Sequence, residues 1–487
     1  MVAQFMGVFG RRRGVSCYAL CALAAEIAVS ETQKLERGLG LVEATSLNMT
    51  FMVGIGPFVV IPLVIQAMGG PGSLLAWAAG GALALFDGCI WAELGAAMPQ
   101  AGGSYVYLRE AYGAERWGRL LSFLFIWQTL FQGPLSIASG ALGFADYSTY
   151  LVERSRRLAA VMAVLGSHEK NVIAGAIVLL VVALLYRRIT EIGRISVVFS
   201  AIVIGTILWI IFGGATHFDV GRVLDFSGTD RSFSWLLFGA LGHATVQTAY
   251  SYLGYYNVCN LGGEMKSPER NIPRAIFISI LAIAGLYLAM QTSILGVIPW
   301  REAAGSHYIA STFIERLYGG GPAMLATSLI LVTALGSVFS AMLGYSRVPY
   351  AAAADGNFLK IFARVHPTKH FPYVSLLALG AAALVFCLAL KLAQAIRAIL
   401  AMRCIIQFMA QGVGLVLLRR RWGSERMPFR MWLYPLPVAI AVAGWAGIFV
   451  STGRKPMLAS LAAATAGALV YLGRARWLRQ WPFEEIA

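Results

Sequence analysis

The chain has 487 residues, of which 58% are hydrophobic and 13% charged, with a formal net charge of +16. Soluble domains run at about 45–50% apolar and about 25% charged, so too little polar surface is left to cover a water-facing globule. A soluble multidomain enzyme, a disordered chain and a secreted disulfide scaffold are excluded, leaving a polytopic all-α membrane protein.

Residues 1–38 come first. Arg11-Arg12-Arg13 followed by the apolar stretch 14–29 has the outline of a signal peptide. Glu26 interrupts it, and a cytoplasmic N-terminal extension, with room for an interfacial helix, is favoured over a cleaved signal. Beyond it, a bilayer-crossing helix needs about 20 mostly apolar residues. Twelve segments qualify: 43–67, 73–98, 117–147, 171–189, 193–216, 233–257, 274–298, 323–350, 372–390, 393–418, 431–451 and 456–473. No connecting loop is large enough for a soluble domain.

Twelve spans put both termini on one side. That side collects 26 of the 39 Lys and Arg, against a dissenting loop at 148–170 with Arg154, Arg156, Arg157 and Lys170. The excess predicts cytoplasmic termini, including the tail 474–487, in the cytoplasmic membrane. The basic residues fall between apolar segments and not on one soluble face, so nucleic-acid binding is not expected. The six cysteines (Cys17, Cys21, Cys89, Cys259, Cys387 and Cys404) stand singly and read as small hydrophobes.

The first five spans and the next five occupy stretches of similar length, 39–217 and 233–420, with two peripheral helices in 431–473. An odd number per block inverts the second relative to the first. Each block opens with a span of awkward local sequence, and inverted repeats with broken first helices are a transporter architecture.

The opening span contains Gly54-Ile55-Gly56-Pro57-Phe58. Glycine weakens a helix and Pro57 removes a donor. A break here frees main-chain groups at mid-depth, tolerated only where they face protein, water or a ligand. The N-terminus of the half-helix beyond it suits a carboxylate. The competing reading is a kinked packing helix with small residues at its contact. The sixth span ends in Tyr250-Ser251-Tyr252-Leu253-Gly254-Tyr255-Tyr256-Asn257. A break there releases carbonyls that can accept from an ammonium group; the alternative is an aromatic belt at the membrane surface.

Three stretches carry a specific resemblance. One is Gly54 to Phe58 with Ala92-Glu93-Leu94 and Pro99-Gln100-Ala101-Gly102-Gly103-Ser104-Tyr105-Val106-Tyr107-Leu108. The second is Glu264-Met265-Lys266-Ser267-Pro268-Glu269-Arg270-Asn271-Ile272-Pro273-Arg274-Ala275. The third is Ser346-Arg347 through Asp355-Gly356, Val365-His366-Pro367 and Phe371-Pro372. Their order and spacing over about 320 residues resemble the amino acid–polyamine–organocation (APC) transporter superfamily, particularly its amino acid permeases.

The resemblance implies a five-plus-five inverted-repeat (LeuT-like) fold with discontinuous helices 1 and 6 and alternating access to a central site. By position, a substrate carboxylate meets N–H groups near Ile55 and Gly56, and Gly54 belongs to the same substrate-binding stretch. The α-amine meets carbonyls at Met52 or Val53 and at Tyr250, Ser251 and Leu253, beside Gly254. Tyr250 falls where the family places an aromatic gate.

Departures from the pattern matter. Ile55 replaces a serine, Pro57 an isoleucine, and Leu253 stands where many large-neutral-amino-acid carriers have glycine, which shrinks the side-chain pocket. The fifth span, 193–216, has no lysine to act as a fixed cation.

Asp87 lies mid-span and is costly in a membrane, by about 2.5–3.5 kcal/mol, so a proton-carrying or cation-balancing role is weighed against a neutral, hydrogen-bonded one. His243 and Gln247 share a helix face, where a satisfied packing histidine is weighed against a proton relay or pocket role; Gln128 and Gln132 share one too, as candidate pocket residues. Arg403 needs a counter-charge, for which Asp87 is a speculative partner. Glu264, Lys266, Glu269 and Arg270 read most simply as solvated loop charges, with an inner gate as the other reading. Asn48-Met49-Thr50 fits a glycosylation triplet but lies inside a span.

The expectation is a secondary transporter for an amino acid, without cofactor, metal or covalent chemistry, since no phosphate-binding loop or His/Cys cluster occurs. Proton or sodium coupling, and partner subunits, stay open. The alternatives are a polyamine or organic-cation carrier with Asp87 and Glu93 as pocket anions, and a binder or sensor that does not transport.

Overall fold

A computed structural model describes residues 35–155, 160, 166–227, 235–389 and 392–483; most of the 1–38 extension and the end of the tail lie outside them. Among the described residues the regular structure is helical, with two isolated bridges, Leu39–Met265 and Ala101–Leu261.

The opening apolar segment forms two helices, α1 (Leu41–Val53) and α2 (Gly56–Met68), bent by 44° across a two-residue break. Pro57 falls in the first turn of α2, where its missing N–H has no intrahelical partner to lose. There follow α3 (Ser73–Ala97), α4 (Ser104–Tyr112), α5 (Gly118–Arg154), α6 (Glu169–Leu185) and α7 (Ile189–Ala215). The second half contains α8 (Trp235–Tyr252), the single turn α9 (Asn257–Asn260), α10 (Pro268–Val297), α11 (Ile309–Tyr318) and α12 (Gly320–Ala354). It continues through α13 (Tyr373–Ala389), α14 (Leu392–Arg403), α15 (Gln411–Trp422), α16 (Leu436–Ser451) and α17 (Arg454–Trp477).

Among the described residues, seven helices are long and apolar enough to cross a membrane, and the bent α1–α2 pair makes an eighth. The shorter apolar helices α13 and α16 complete this set. The protein is therefore an all-α, multi-pass membrane protein.

Burial is graded from the centre outward. In α12, 67% of the most apolar window is buried, but in α17 only 17%, leaving α17 on the lipid-facing periphery. α1 sits at the centre, packed on α7, α10 and α12. α3 packs along α10, α5 along α12, and α2 along α8.

Buried ion pairs tie one end of the bundle. Arg347 of α12 holds Glu264 by two bonds of 2.8 Å, Nε to Oε2 and Nη2 to Oε1, with both side chains essentially sealed from solvent. The Glu264 carbonyl also accepts the Gly38 and Leu39 amides at 3.0 Å. Glu264 is thus not a solvated loop charge, because the chain before α1 folds over it. Arg419 of α15 reaches Glu93 of α3 at 2.5 and 2.7 Å, and the Met431 amide donates to the same carboxylate.

At the far end of α5, Arg154 and the Tyr150 hydroxyl both bond the Glu315 carboxylate of α11, at 2.7 and 2.8 Å. Those contacts, Arg154 first, hold the Glu315 carboxyl below its ordinary range.

Candidate binding cavity

The breaks in α1 and α8 meet. Between α1 and α2 only Gly54 and Ile55 leave the helix, with Gly54 at φ 39°. Residues 253–256 interrupt the polypeptide between α8 and α9, with Gly254 at φ 129°. Both glycines occupy backbone conformations that a side chain resists. Both also lie against neighbours: a Cβ at Gly54 would stand 2.7 Å from Ser337 Oγ, and one at Gly254 2.9 Å from the Met52 amide. One break therefore packs directly on the other.

Among the described residues, the Gly54 and Ile55 amides have no main-chain partner. The carbonyls on the other side of the break are occupied. Tyr287 of α10 places its hydroxyl 2.9 Å from the Met52 carbonyl and 3.2 Å from that of Ser251, so its one proton is shared between the two broken helices. Asn48 of α1 donates to the Tyr255 carbonyl at 2.6 Å and accepts the Val258 amide at 3.0 Å.

A cavity of about 40 Å3, room for a few waters, lies at this junction. Its walls are Phe51 to Gly56 on the first break and Tyr250, Ser251 and Leu253 on the second. Ser136, Ser139 and Gly140 come from α5, Ser337 and Ala341 from α12, and Ile399 and Arg403 from α14. The Tyr250 hydroxyl lies 3.1 Å from Ser139 Oγ. The Ile55 side chain is accommodated by Gly143 of α5, where a Cβ would stand 2.4 Å from Ile55 Cγ2.

Met52, Val53, Gly54, Ile55, Gly56, Tyr250, Ser251 and Leu253 thus come together on one cavity, with Gly254 behind it against α1. Three other candidates do not line it. Asp87 is fully buried in α3, accepting from Tyr255 Oη at 2.5 Å and Trp91 Nε1 at 2.8 Å, so it touches the second break from behind. Gln132 meets the cavity only through its carbonyl, which accepts from the cavity residue Ser136 at 2.7 Å. His243 lies on the exposed face of α8, two helical turns before Tyr250.

Asp87 is also not the counter-charge of Arg403. The Arg403 guanidinium donates to the hydroxyls of Tyr256, Tyr345 and, at 2.7 Å, Ser136. Ser136 and Ser139 of α5, Ser337 of α12 and Tyr287 escaped the sequence reading, and Asn48 stood there only as part of a glycosylation triplet. Each is a common residue in an apolar helix, and only the crossing of distant helices gives it a partner.

A multi-pass helical bundle with a cavity between two interrupted helices has the architecture of a membrane carrier. The amino acid permease pattern matches residues 39–470, and the chain belongs to that family. The Serine/threonine exchanger SteT of Bacillus subtilis (strain 168) is 28% identical over 424 residues, covering 85% of this chain and 91% of that protein. Cationic amino acid transporter 4 of Homo sapiens is 28% identical over 353 residues, 71% of this chain but only 54% of that protein, so the match spans about half of its length. Asc-type amino acid transporter 1 of Homo sapiens is 27% identical over 436 residues, covering 86% and 78%. These are transporters and not enzymes.

Proposed function

We propose that the protein is a secondary transporter that carries an amino acid across the cytoplasmic membrane by alternating access. The observation that carries this reading is the pair of amides, Gly54 and Ile55, without a main-chain partner among the described residues, on a cavity beside the second broken helix. Open N–H groups at a helix start favour a carboxylate. The substrate ammonium then competes with Tyr287 for the Met52 and Ser251 carbonyls, and Tyr250 covers the site. The names of the three relatives agree on amino acids while differing on which.

The reading includes twelve spans, with 39–217 and 233–420 as inverted repeats and the termini in the cytoplasm. Support comes from the packing of helices at equivalent places in the two halves, α2 on α8, α3 on α10, α5 on α12 and α6 on α13, as two units around one axis would pack. The surplus of basic residues on the terminal side supports the orientation.

A polyamine carrier is disfavoured because Glu93 is bound to Arg419, Asp87 is behind the break, and the charged cavity residue is an arginine. Counterflow into proteoliposomes across an amino acid and amine panel, with and without a pH gradient, tests the reading and exposes proton coupling. Saturable binding without exchange would identify a sensor instead. A Cβ at Gly56 already stands 3.4 Å from Ser251 Oγ and 3.5 Å from Tyr250, so Gly56→Leu fills the cavity and abolishes uptake. Undiminished uptake in that variant would refute the backbone site.

A further inference from the structure

Among the described residues Arg347 and Arg403 are the buried arginines and Arg419 is mostly covered, and the three are not treated alike. Arg347 and Arg419 each grip a glutamate with two bonds. Arg403 is 1% exposed and has no carboxylate partner among the described residues. Its contacts are three neutral hydroxyls and the faces of Tyr345 and Tyr256, at 5.3 and 5.9 Å from the ring centroids. Among the described residues its buried Nε–H has no acceptor.

An arginine stays protonated in any protein environment. Hydroxyls and rings solvate the guanidinium but do not neutralise it, and an unneutralised cation inside a membrane is expensive. Of the three, Arg403 alone also borders the cavity. The missing negative charge therefore has a place to arrive from.

We infer that Arg403 pairs with a second carboxylate carried by the substrate, so that the cavity selects dicarboxylic amino acids over neutral and cationic ones. The inference rests on the transport reading above and deepens it. The α-carboxylate uses the open amides of the α1 break. The side-chain carboxylate meets the Arg403 fork, where the Nε–H is unengaged and a bidentate pair can form. A lysine or polyamine substrate would instead bring a like charge to the guanidinium. Because Arg403 donates to the Tyr256 hydroxyl and Tyr256 directly precedes α9, drawing the fork toward a substrate also pulls on the second break.

The test is counterflow of radiolabelled L-glutamate, L-aspartate, L-serine and L-lysine into proteoliposomes, in chloride and in gluconate. The wild-type protein is expected to prefer glutamate or aspartate to serine by at least about tenfold in kcat/KM, with lysine lower still and no dependence on chloride. In Arg403→Gln the ratio of acidic to serine exchange falls at least about tenfold, and Arg403→Lys restores part of it. The wild-type panel decides even where a variant fails to fold. Serine exchanged in preference to glutamate overturns the inference and leaves the transport reading standing. Serine exchange that requires chloride does the same, assigning the anion to the medium. Absence of any exchange overturns both.

Discussion

Asn48 grips the interruption of α8 with both ends of its amide, donating to the Tyr255 carbonyl at 2.6 Å and accepting the Val258 amide at 3.0 Å. The two groups it satisfies were released by the break and are buried. Asn48→Ala leaves both unpaired, at about 1–3 kcal/mol for each. A lower melting temperature in detergent and slow or absent exchange are expected. A melting temperature unchanged by Asn48→Ala would remove this clamp from the account.

Tyr287 tests the same logic from the opposite wall. Its hydroxyl serves the Met52 and Ser251 carbonyls while the cavity is small. Tyr287→Phe strips that donor, so the substrate-free protein should lose about 1–3 kcal/mol of stability. An arriving ammonium group supplies donors to those carbonyls, so the rise in melting temperature on adding substrate should be larger in Tyr287→Phe than in wild type. An equal rise would show that the ammonium binds elsewhere.

Two glycine substitutions separate backbone strain from helix propensity. At Gly254, φ is 129° and a Cβ would press on the Met52 amide at 2.9 Å, main chain that cannot swing aside. Gly254→Ala should cost about 1–3 kcal/mol from the backbone conformation alone, and more from the collision. Gly205 lies inside α7 with open space around it, so Gly205→Ala should be neutral or slightly stabilising. Folded yield and melting temperature of the two variants, measured side by side, provide the check.

The Glu264–Arg347 pair is sealed, so breaking it from one side leaves an uncompensated charge. Glu264→Gln or Arg347→Met alone should destabilise by about 3–5 kcal/mol, whereas removing both partners together should cost less than the two single changes added. Strict additivity in thermal melts would show that the pair acts as two independent groups.

Acidification should loosen the α5–α11 bracket. Glu315 is held below its ordinary carboxylate range by Arg154 and then Tyr150. A depressed carboxyl adds stability that is fully present above its unfolded value and is lost as pH falls through the lower folded value. The contribution should therefore persist from neutral pH to about 4.5 and fade below that. Glu315 is partly exposed, so the effect is modest. Melting profiles of wild type and Glu315→Gln should differ at pH 7 and converge at the acid end.

The amino-acid sequence by itself determined that this is a helical membrane protein and where two stretches resist a continuous helix. Apolar length, glycine and proline act locally, and their consequences for a chain in lipid do not depend on what lies far away. The breaks at Gly54-Ile55-Gly56 and around Gly254 were legible for that reason, whereas Met52, Val53, Tyr250, Ser251 and Leu253 came from the family resemblance. Only the tertiary structure decided the partners of the polar groups. Glu264 reads as a loop charge until Arg347, 83 positions on, closes over it. Asp87 stands behind a break and not in the cavity because Tyr255 turns its hydroxyl that way. Arg403, seen in sequence only as a charge lacking a partner, turns out to border the cavity. Hydrogen bonds and ion pairs act over a few ångströms between helices hundreds of residues apart, and the crossing of those helices is a property of the packed bundle, not of any one segment.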